Sequence, residues 1–376
     1  MKTFTTNLKE VIFLFLRLGF TAFGGPAAHI AMMEWEVVKK KAWMTEEHFL
    51  DLLGATNLIP GPNSTEMTMH IGNARAGWKG LVAAGLCFIL PAVFITGILA
   101  HLYKEYGTLP QVAGFVYGIK PAVLAVIVSL MFSLSRKAIK TVEAGVIGVL
   151  AACLALAGLN EIYVLFGAGA LGILLNLYKE KKAISFVPLL WLPAIKPVSS
   201  DTFSNYKLLL IFLKIGAILY GSGYVLFAFL DAELVKRGLI SHQTLVDAIA
   251  VGQFTPGPVF SSATFIGWQV GGIGGAVAAT IGIFLPSFFF VSLLNPLIPK
   301  LRRSKLMSGF LDAVNVASIG LILAVCIEMG KASLVDWRTI VIVFLSFVVN
   351  LLFPKLNTAF IVMGGSIIGR LLLFFN

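Results

Sequence analysis

Asn57-Leu58-Ile59-Pro60-Gly61-Pro62-Asn63-Ser64-Thr65 interrupts a run that is otherwise apolar and helical in character, residues 49–59 before it and 67–71 after it. Two prolines around a glycine remove two N–H donors, and the first turns Ile59 away from the helical region. A helix entering near Leu50 must stop near Ile59, and another starts just past Pro62. The second helix opens on Asn63, Ser64 and Thr65, whose side chains and free N–H groups cap it or face a ligand. The tripeptide returns at Pro256-Gly257-Pro258, again followed by hydroxyls at Ser261, Ser262 and Thr264. One such break is a kink; two at matching places ask for a shared function.

Working outward from the breaks, the chain aligns with itself. Phe15-Leu16-Arg17-Leu18-Gly19 falls on Phe212-Leu213-Lys214-Ile215-Gly216, and Phe23-Gly24-Gly25-Pro26 on Tyr220-Gly221-Ser222-Gly223. Thr45 and Asp51 match Ser241 and Asp247. Gly72, Gly77 and Gly80 match Gly267, Gly272 and Gly275, and Lys120 falls opposite Asn315. The reading is a duplication: a first repeat over 1–178, a linker over 179–207 and a second repeat over 208–376. Within the linker, 186–195 is apolar, carries two prolines, and is too short to span, so it is expected at the interface.

Of the 376 residues, 58% are hydrophobic and 12% charged, with mean hydropathy +0.92. A soluble domain of this length does not carry so few charges. Residues 81–100, 112–134, 145–159, 164–177, 208–230, 276–294, 310–327, 340–353 and 359–375 read as membrane helices, near the roughly 20 residues a crossing takes. The first apolar run holds Arg17 and no small-residue cleavage site follows it, so a cleaved signal peptide is not expected. Cys87, Cys153 and Cys326 lie in apolar runs without metal-ligand spacing and read as buried small hydrophobes. No metal or cofactor is expected. The net charge of +11 reads as cytoplasmic loop charge rather than a nucleic-acid surface. Basic loops of one half face poorer loops of the other (Arg75 and Lys79 against 269–272), which favours inverted repeats. Lys39–Lys41 and Lys236-Arg237, basic in both, go against it.

The expected fold is therefore an all-α polytopic membrane protein of two homologous, inverted repeats, with helices broken at Gly-Gly-Pro and Pro-Gly-Pro. Non-helical backbone at membrane depth must be buried in protein or line a wet cavity, and matched broken helices in inverted repeats point to a midplane transport site. Each break exposes a half-helix N-terminus with about half a positive charge, which suits an anion. Candidate substrate residues are Gly24, Gly25, Pro60, Gly61, Pro62, Asn63, Ser64, Thr65, Pro256, Gly257, Pro258, Ser261 and Ser262. Arg17 and Lys214 occupy equivalent apolar positions and read equally as substrate contacts or as cations snorkelling to the interface. Glu66 has no acidic counterpart and is the candidate proton carrier, or else a cap for the half-helix at Asn63. Asp51 and Asp247, paired by the repeat, orient the break or bind a cation; His70 is within a turn of Glu66 for a relay, although a packed histidine is the simpler reading.

Phe15-x-Arg17-x-Gly19 with Phe23-Gly24-Gly25-Pro26 and Pro60-Gly61-Pro62 resembles the chromate transporter family, as do Gly252-Gln253-x-Thr255-Pro256-Gly257-Pro258 and Phe310-Leu311-Asp312-x-x-Asn315 in the second half. The resemblance covers essentially the whole chain and both halves. It implies a multi-pass protein of the cell inner (plasma) membrane that exports chromate at the expense of the proton gradient, with sulfate as the similar oxyanion. Its partners are then the oxyanion, protons and the lipid bilayer, with a homodimer left open. The chain departs from the pattern at Ser222-Gly223, which replaces Gly25-Pro26 in the second half. Three other readings stand beside this one. They are a transporter of sulfate or another anion by the same fold, a membrane enzyme acting on a lipid phosphate, and a passive anion channel.

Overall fold

The computed structural model describes residues 2–23, 25–107, 110–179, 204–220, 225–294, 305–353, 356 and 358–374. Gly24, most of the linker, and Ser222-Gly223 lie outside them. Fourteen α-helices and no strand occur among the described residues. The first half supplies α1 (Lys2–Thr21), α2 (Gly25–Glu34, continued by a π-helical turn at Trp35–Lys40), α3 (Glu46–Thr56), α4 (Asn63–Tyr106), α5 (Pro110–Ala138), α6 (Val142–Leu156) and α7 (Glu161–Lys179). The second half repeats the series as α8 (Asn205–Ile218), α9 (Val225–Leu230, with a π-helical turn at Asp231–Val235), α10 (His242–Phe254), α11 (Ser262–Leu294), α12 (Lys305–Ser333), α13 (Trp337–Leu352) and α14 (Thr358–Phe374). The run 208–230 is thus not one crossing: the chain leaves the helix at Leu219, with ψ 104°, and re-enters one at Val225.

Both longest helices are hairpins. In α4 the chain turns back at Ala76 (φ −140°) and Gly77 (φ +62°); in α11 it turns at Gly271 (φ −131°) and Gly272 (φ +61°). The positive φ is what a glycine is needed for. The limbs press together without side chains between them. A Cβ on Gly72 would strike the Gly80 carbonyl and one on Gly80 the Gly72 carbonyl, and Gly267 and Gly275 stand in the same relation. The short limb, 63–75, is about 20 Å long at 1.5 Å per residue, and the long limb, 78–106, is long enough to cross. Ahead of the short limb, Trp43 lies under the Arg75 guanidinium, 5.0 Å from ring centre to Cζ. Hence α3 and residues 63–75 run side by side in opposite senses, a re-entrant loop with Pro60-Gly61-Pro62 at its buried turn.

Contacts between α4 and α11 set the relative sense of the halves. Thr96 meets Ser261 at 3.2 Å, and the Gln269 amide donates to the Ala100 carbonyl at 3.0 Å. The short limb of α11 therefore runs along the long limb of α4 in the same direction, and the long limb of α11, doubling back, runs against it. The repeats are inverted. The turn at Gly77 sits at one end of the bundle, where Asn7 donates to the Arg75 carbonyl and Arg75 pairs with Glu10 at 2.7 Å. The turn at Gly272 sits at the other, beside Asn205 at the start of α8.

Connectivity then assigns the loops. Lys39–Lys41, Arg75, Lys79, the end of α5 with Lys140, the end of α7 and the start of α12 share the Gly77 end, which we call the basic end. Packing divides the helices into two groups, each drawn from both halves. α1, α4, α8 and α11 form one, while α5 and α12 gather α6, α7, α13 and α14 into the other, α7 against α12 and α14 against α5. Five helices among the described residues are long and apolar enough to cross a membrane, and α6, α13 and α14 are shorter apolar helices. Of the cysteines expected to be buried, Cys326 is buried, Cys87 is half-buried and Cys153 is exposed, because α6 turns that side of its apolar run away from the other helices.

Candidate functional site

The two Pro-Gly-Pro turns arrive from opposite ends and interlock. Gly61 donates its N–H to the carbonyl of Leu219, at the end of α8, and Gly257 donates its N–H to the carbonyl of Ala22, at the end of α1, both at 2.8 Å. These positions match under the repeat, so each break is tied to the other half's first helix. Gly61 (φ +142°) and Gly257 (φ +88°) need glycine twice over, for the dihedral and for space. A Cβ on Gly61 would meet Glu66 and Ser287, and one on Gly257 would meet Ala92, about midway along the spanning limb of α4.

A cavity of about 900 Å³ lies against both breaks. Pro62, Asn63 and Ser64 line it from the first half and Pro258, Val259 and Phe260 from the second, with Pro26 beside them. Its polar wall holds Asn57, Asn176, Asn315 and Ser318, and it reaches Lys140, Thr141, Glu143 and Asp312, which are exposed. Pro62 has no N–H, and the first intrahelical bonds run from the N–H groups of Thr65 and Glu66 back to the Pro62 carbonyl. Asn63 and Ser64 thus present the uncommitted N–H groups of a helix start to the cavity. Asn63 is held by a 2.9 Å hydrogen bond from its amide to Asn57 Oδ1.

Pro60, Gly61, Thr65, Pro256, Gly257, Ser261 and Ser262 are buried behind this wall. Thr65 Oγ1 and Ser262 Oγ have no hydrogen-bond partner among the described residues. Glu66 is fully buried; its Oε1 accepts from Ser287 of the opposite half at 3.2 Å, and its Oε2 has no hydrogen-bond partner among the described residues. The second half has hydroxyls in the corresponding region: Thr96 reaches Ser261 at 3.2 Å and Thr255 at 3.4 Å.

Arg17 and Lys214 are not brought to the breaks. Arg17 pairs with Glu36 at 2.7 Å, and Glu36 also takes Lys40 at 3.3 Å. Lys214 pairs with Glu233 at 2.6 Å, and Glu233 also takes Arg237 at 2.7 Å. Both carboxylates sit on the π-helical turns, at positions that match under the repeat. The cations are thereby spent on fixing the returning helix to the first one. Acidic residues recurring at 36 and 233 were the available signal for this pairing, but only the fold of α1 onto α2 makes it legible. The sequence does not single out Asn57, Lys140, Asn176 and Ser318 as cavity-lining residues, because they come from a helix end, a loop and two different helices far apart in the chain.

The family model described as chromate transporter matches residues 9–173 and again 206–370. A probable chromate transport protein of Synechococcus elongatus is 31% identical, covering 89% of this chain and 88% of the relative. A chromate transport protein of Cupriavidus metallidurans is 29% identical, covering 97% and 93%. An uncharacterized transporter of Methanocaldococcus jannaschii is also 29% identical, covering 97% and 94%. No solved structure matches the chain.

Proposed function

The chain belongs to the chromate transporter family, and from that premise we propose that it exports chromate, or a sulfate-like divalent oxyanion, by alternating access around the two Pro-Gly-Pro breaks. One observation carries the reading: a single cavity has both breaks in its wall and opens at one end of the bundle. Half-helix N-termini aimed at the midplane from opposite repeats supply positive ends of dipoles. The amides of Asn57, Asn63, Asn176 and Asn315 and the hydroxyl of Ser64 supply donors that ring a tetrahedral oxyanion. Lys140 draws the anion in at the mouth. Arg17 and Lys214 act indirectly, by holding the helices that carry the loops.

The positive-inside rule puts the basic end in the cytoplasm, so the cavity faces the compartment from which an exporter loads. Glu66 is the proposed proton carrier. It is an ionisable group at membrane depth without a basic partner among the described residues, and such a group is functional by default. It lies next to Gly61, so a change in its protonation acts directly on the break that forms the cavity wall.

The test is uptake of chromate into everted membrane vesicles with and without an uncoupler, competed by sulfate. Energised, uncoupler-sensitive accumulation is the expected result; no accumulation of either anion overturns the reading. Pro60→Ala and Pro256→Ala each remove one of the two prolines that fix a break and are expected to abolish transport in protein that still elutes as a single folded species. Normal transport by both would remove the broken helices from the site.

A further inference from the structure

The repeats match in sequence but not in how they are held. The re-entrant loop of the second half is clamped: α10 packs on α5, α14 and α12, and α9 packs on α12. Its counterpart in the first half stands away. α3 touches α12 only near its buried end, where Ala55 and Leu58 meet Leu311, and α2 has no comparable packing on α5 among the described residues. The space left beside α3 is the cavity.

A polar network closes the clamped side. Asp247 on α10 accepts from the Tyr103 hydroxyl of α4 at 2.6 Å and from the Gln243 amide at 2.9 Å. The Gln243 carbonyl oxygen in turn accepts from the ammonium of Lys120 on α5. Asp247 is 4% exposed. The network therefore bridges the two helix groups at the end away from the basic loops, where α4 finishes. Lys120, in an apolar spanning helix, is a costly residue to keep there, and nothing in the oxyanion site uses it. On the open side the matching positions are Glu47, Asp51 and Asn315. Glu47 and Asp51 are exposed, and Asn315 lines the cavity.

We propose that Lys120, Gln243, Asp247 and Tyr103 form the outer gate of the transporter, positioning residues that must part for the bound oxyanion to leave. The proposal rests on the alternating-access reading above. The opposite state follows from the pseudo-twofold. The second loop swings off α5 and opens a cavity beside α10, while α3 closes on α12 with Glu47 and Asp51 brought to Asn315. A charge pair with an interposed amide suits this role, because its groups are satisfied when closed and become hydrated when open.

Two measurements test it. In protein with Cys87, Cys153 and Cys326 replaced by alanine, Thr255→Cys places a thiol behind the gate, on the second break. Labelling by a membrane-impermeant thiol reagent applied from outside right-side-out vesicles is expected to be slow. Lys120→Met or Asp247→Asn should speed it at least tenfold, and Lys120→Arg should leave it nearly unchanged. Equal rates in all variants overturn the gate. Separately, Lys120→Cys with Gln243→Cys, bridged by a short bis-methanethiosulfonate, should stop transport until a reductant restores it, while chromate binding from the cytoplasmic side survives. Undiminished transport by the bridged protein also overturns the proposal. Should the parent carry neither chromate nor sulfate while the gate variants still label faster, the oxyanion reading fails and the gate stands.

Discussion

The two re-entrant loops of this protein have the same plan, an entering helix, a Pro-Gly-Pro turn and a short returning limb, yet among the described residues the second is packed broadly against the helices around α5 and α12 while the first meets α12 near Ala55 and Leu58. Identical architecture in unlike surroundings shows that the loop conformation is set locally, by prolines and glycines, while its position is set by a few contacts that can be exchanged. The first loop carries the buried carboxyl of Glu66 and walls the cavity; the second carries hydroxyls in that region and is clamped. Rigid loops with adjustable docking are what a rocking transporter needs.

Substitutions made in matched pairs break or sharpen this comparison. The largest effects are expected where the loops are alike. Gly72→Val and Gly267→Val drive a side chain into the facing backbone of each hairpin, and each should cost more than about 4 kcal/mol. Both are expected to remove folded protein from membranes, as judged by size-exclusion of detergent extracts; survival of one alone would show that the hairpins are not equivalent. Next come the places where the loops differ. Glu66→Gln should lower energised transport at least about tenfold, roughly 1.4 kcal/mol, in folded protein, whereas Ser262→Ala should leave the proton dependence as it is. Equal losses would detach coupling from the first loop.

Smaller effects are expected at the ion pairs. Glu233 has a side chain only 3% exposed and Glu36 one 11% exposed, so losing one of its two cations costs the former more. Lys214→Met should cost about 2–3 kcal/mol and Arg17→Met about 1 kcal/mol, read from thermal unfolding. The reverse order would mean that Arg17 has a further role. Least of all, Asn63→Ala removes one donor from the cavity and should weaken chromate binding by about 1 kcal/mol. The comparison is a competition titration against labelled sulfate with the intact protein.

The breaks, the repeat and its inversion were legible because proline chemistry, glycine spacing and loop charge act on the chain locally or recur along it. Arg17 and Lys214 were visible as costly cations, but sequence alone left their role open between substrate and interface. Pairing to Glu36 and Glu233 needs the return of α2 onto α1, which is a tertiary fact. The division into two packing groups was hidden for the same reason: nothing in the order of apolar runs says that α7 docks on α12 rather than on its own repeat. Lys120, Gln243 and Asp247 come from different helices and acquire meaning only once α10 lies against α5. The run 208–230 reads as a crossing by average hydropathy, while Gly221-Ser222-Gly223, aligned on Gly24-Gly25-Pro26, marks a break in the same run, and the chain does leave the helix at Leu219.

The paired hydrogen bonds from Gly61 to Leu219 and from Gly257 to Ala22 bear on how the chain is made. Each break finds its acceptor only in the other repeat, some 160 to 235 residues away along the chain as counted from those positions, so the first repeat emerges from the ribosome with its turn unsatisfied. Until the second repeat inserts upside down beside it, the Gly61 N–H lacks the Leu219 carbonyl that it meets in the finished fold. Assembly is therefore non-local and slow in the sense of loop-closure entropy. Truncation after the first repeat would leave a strand of helices that insertion machinery accepts and quality control removes.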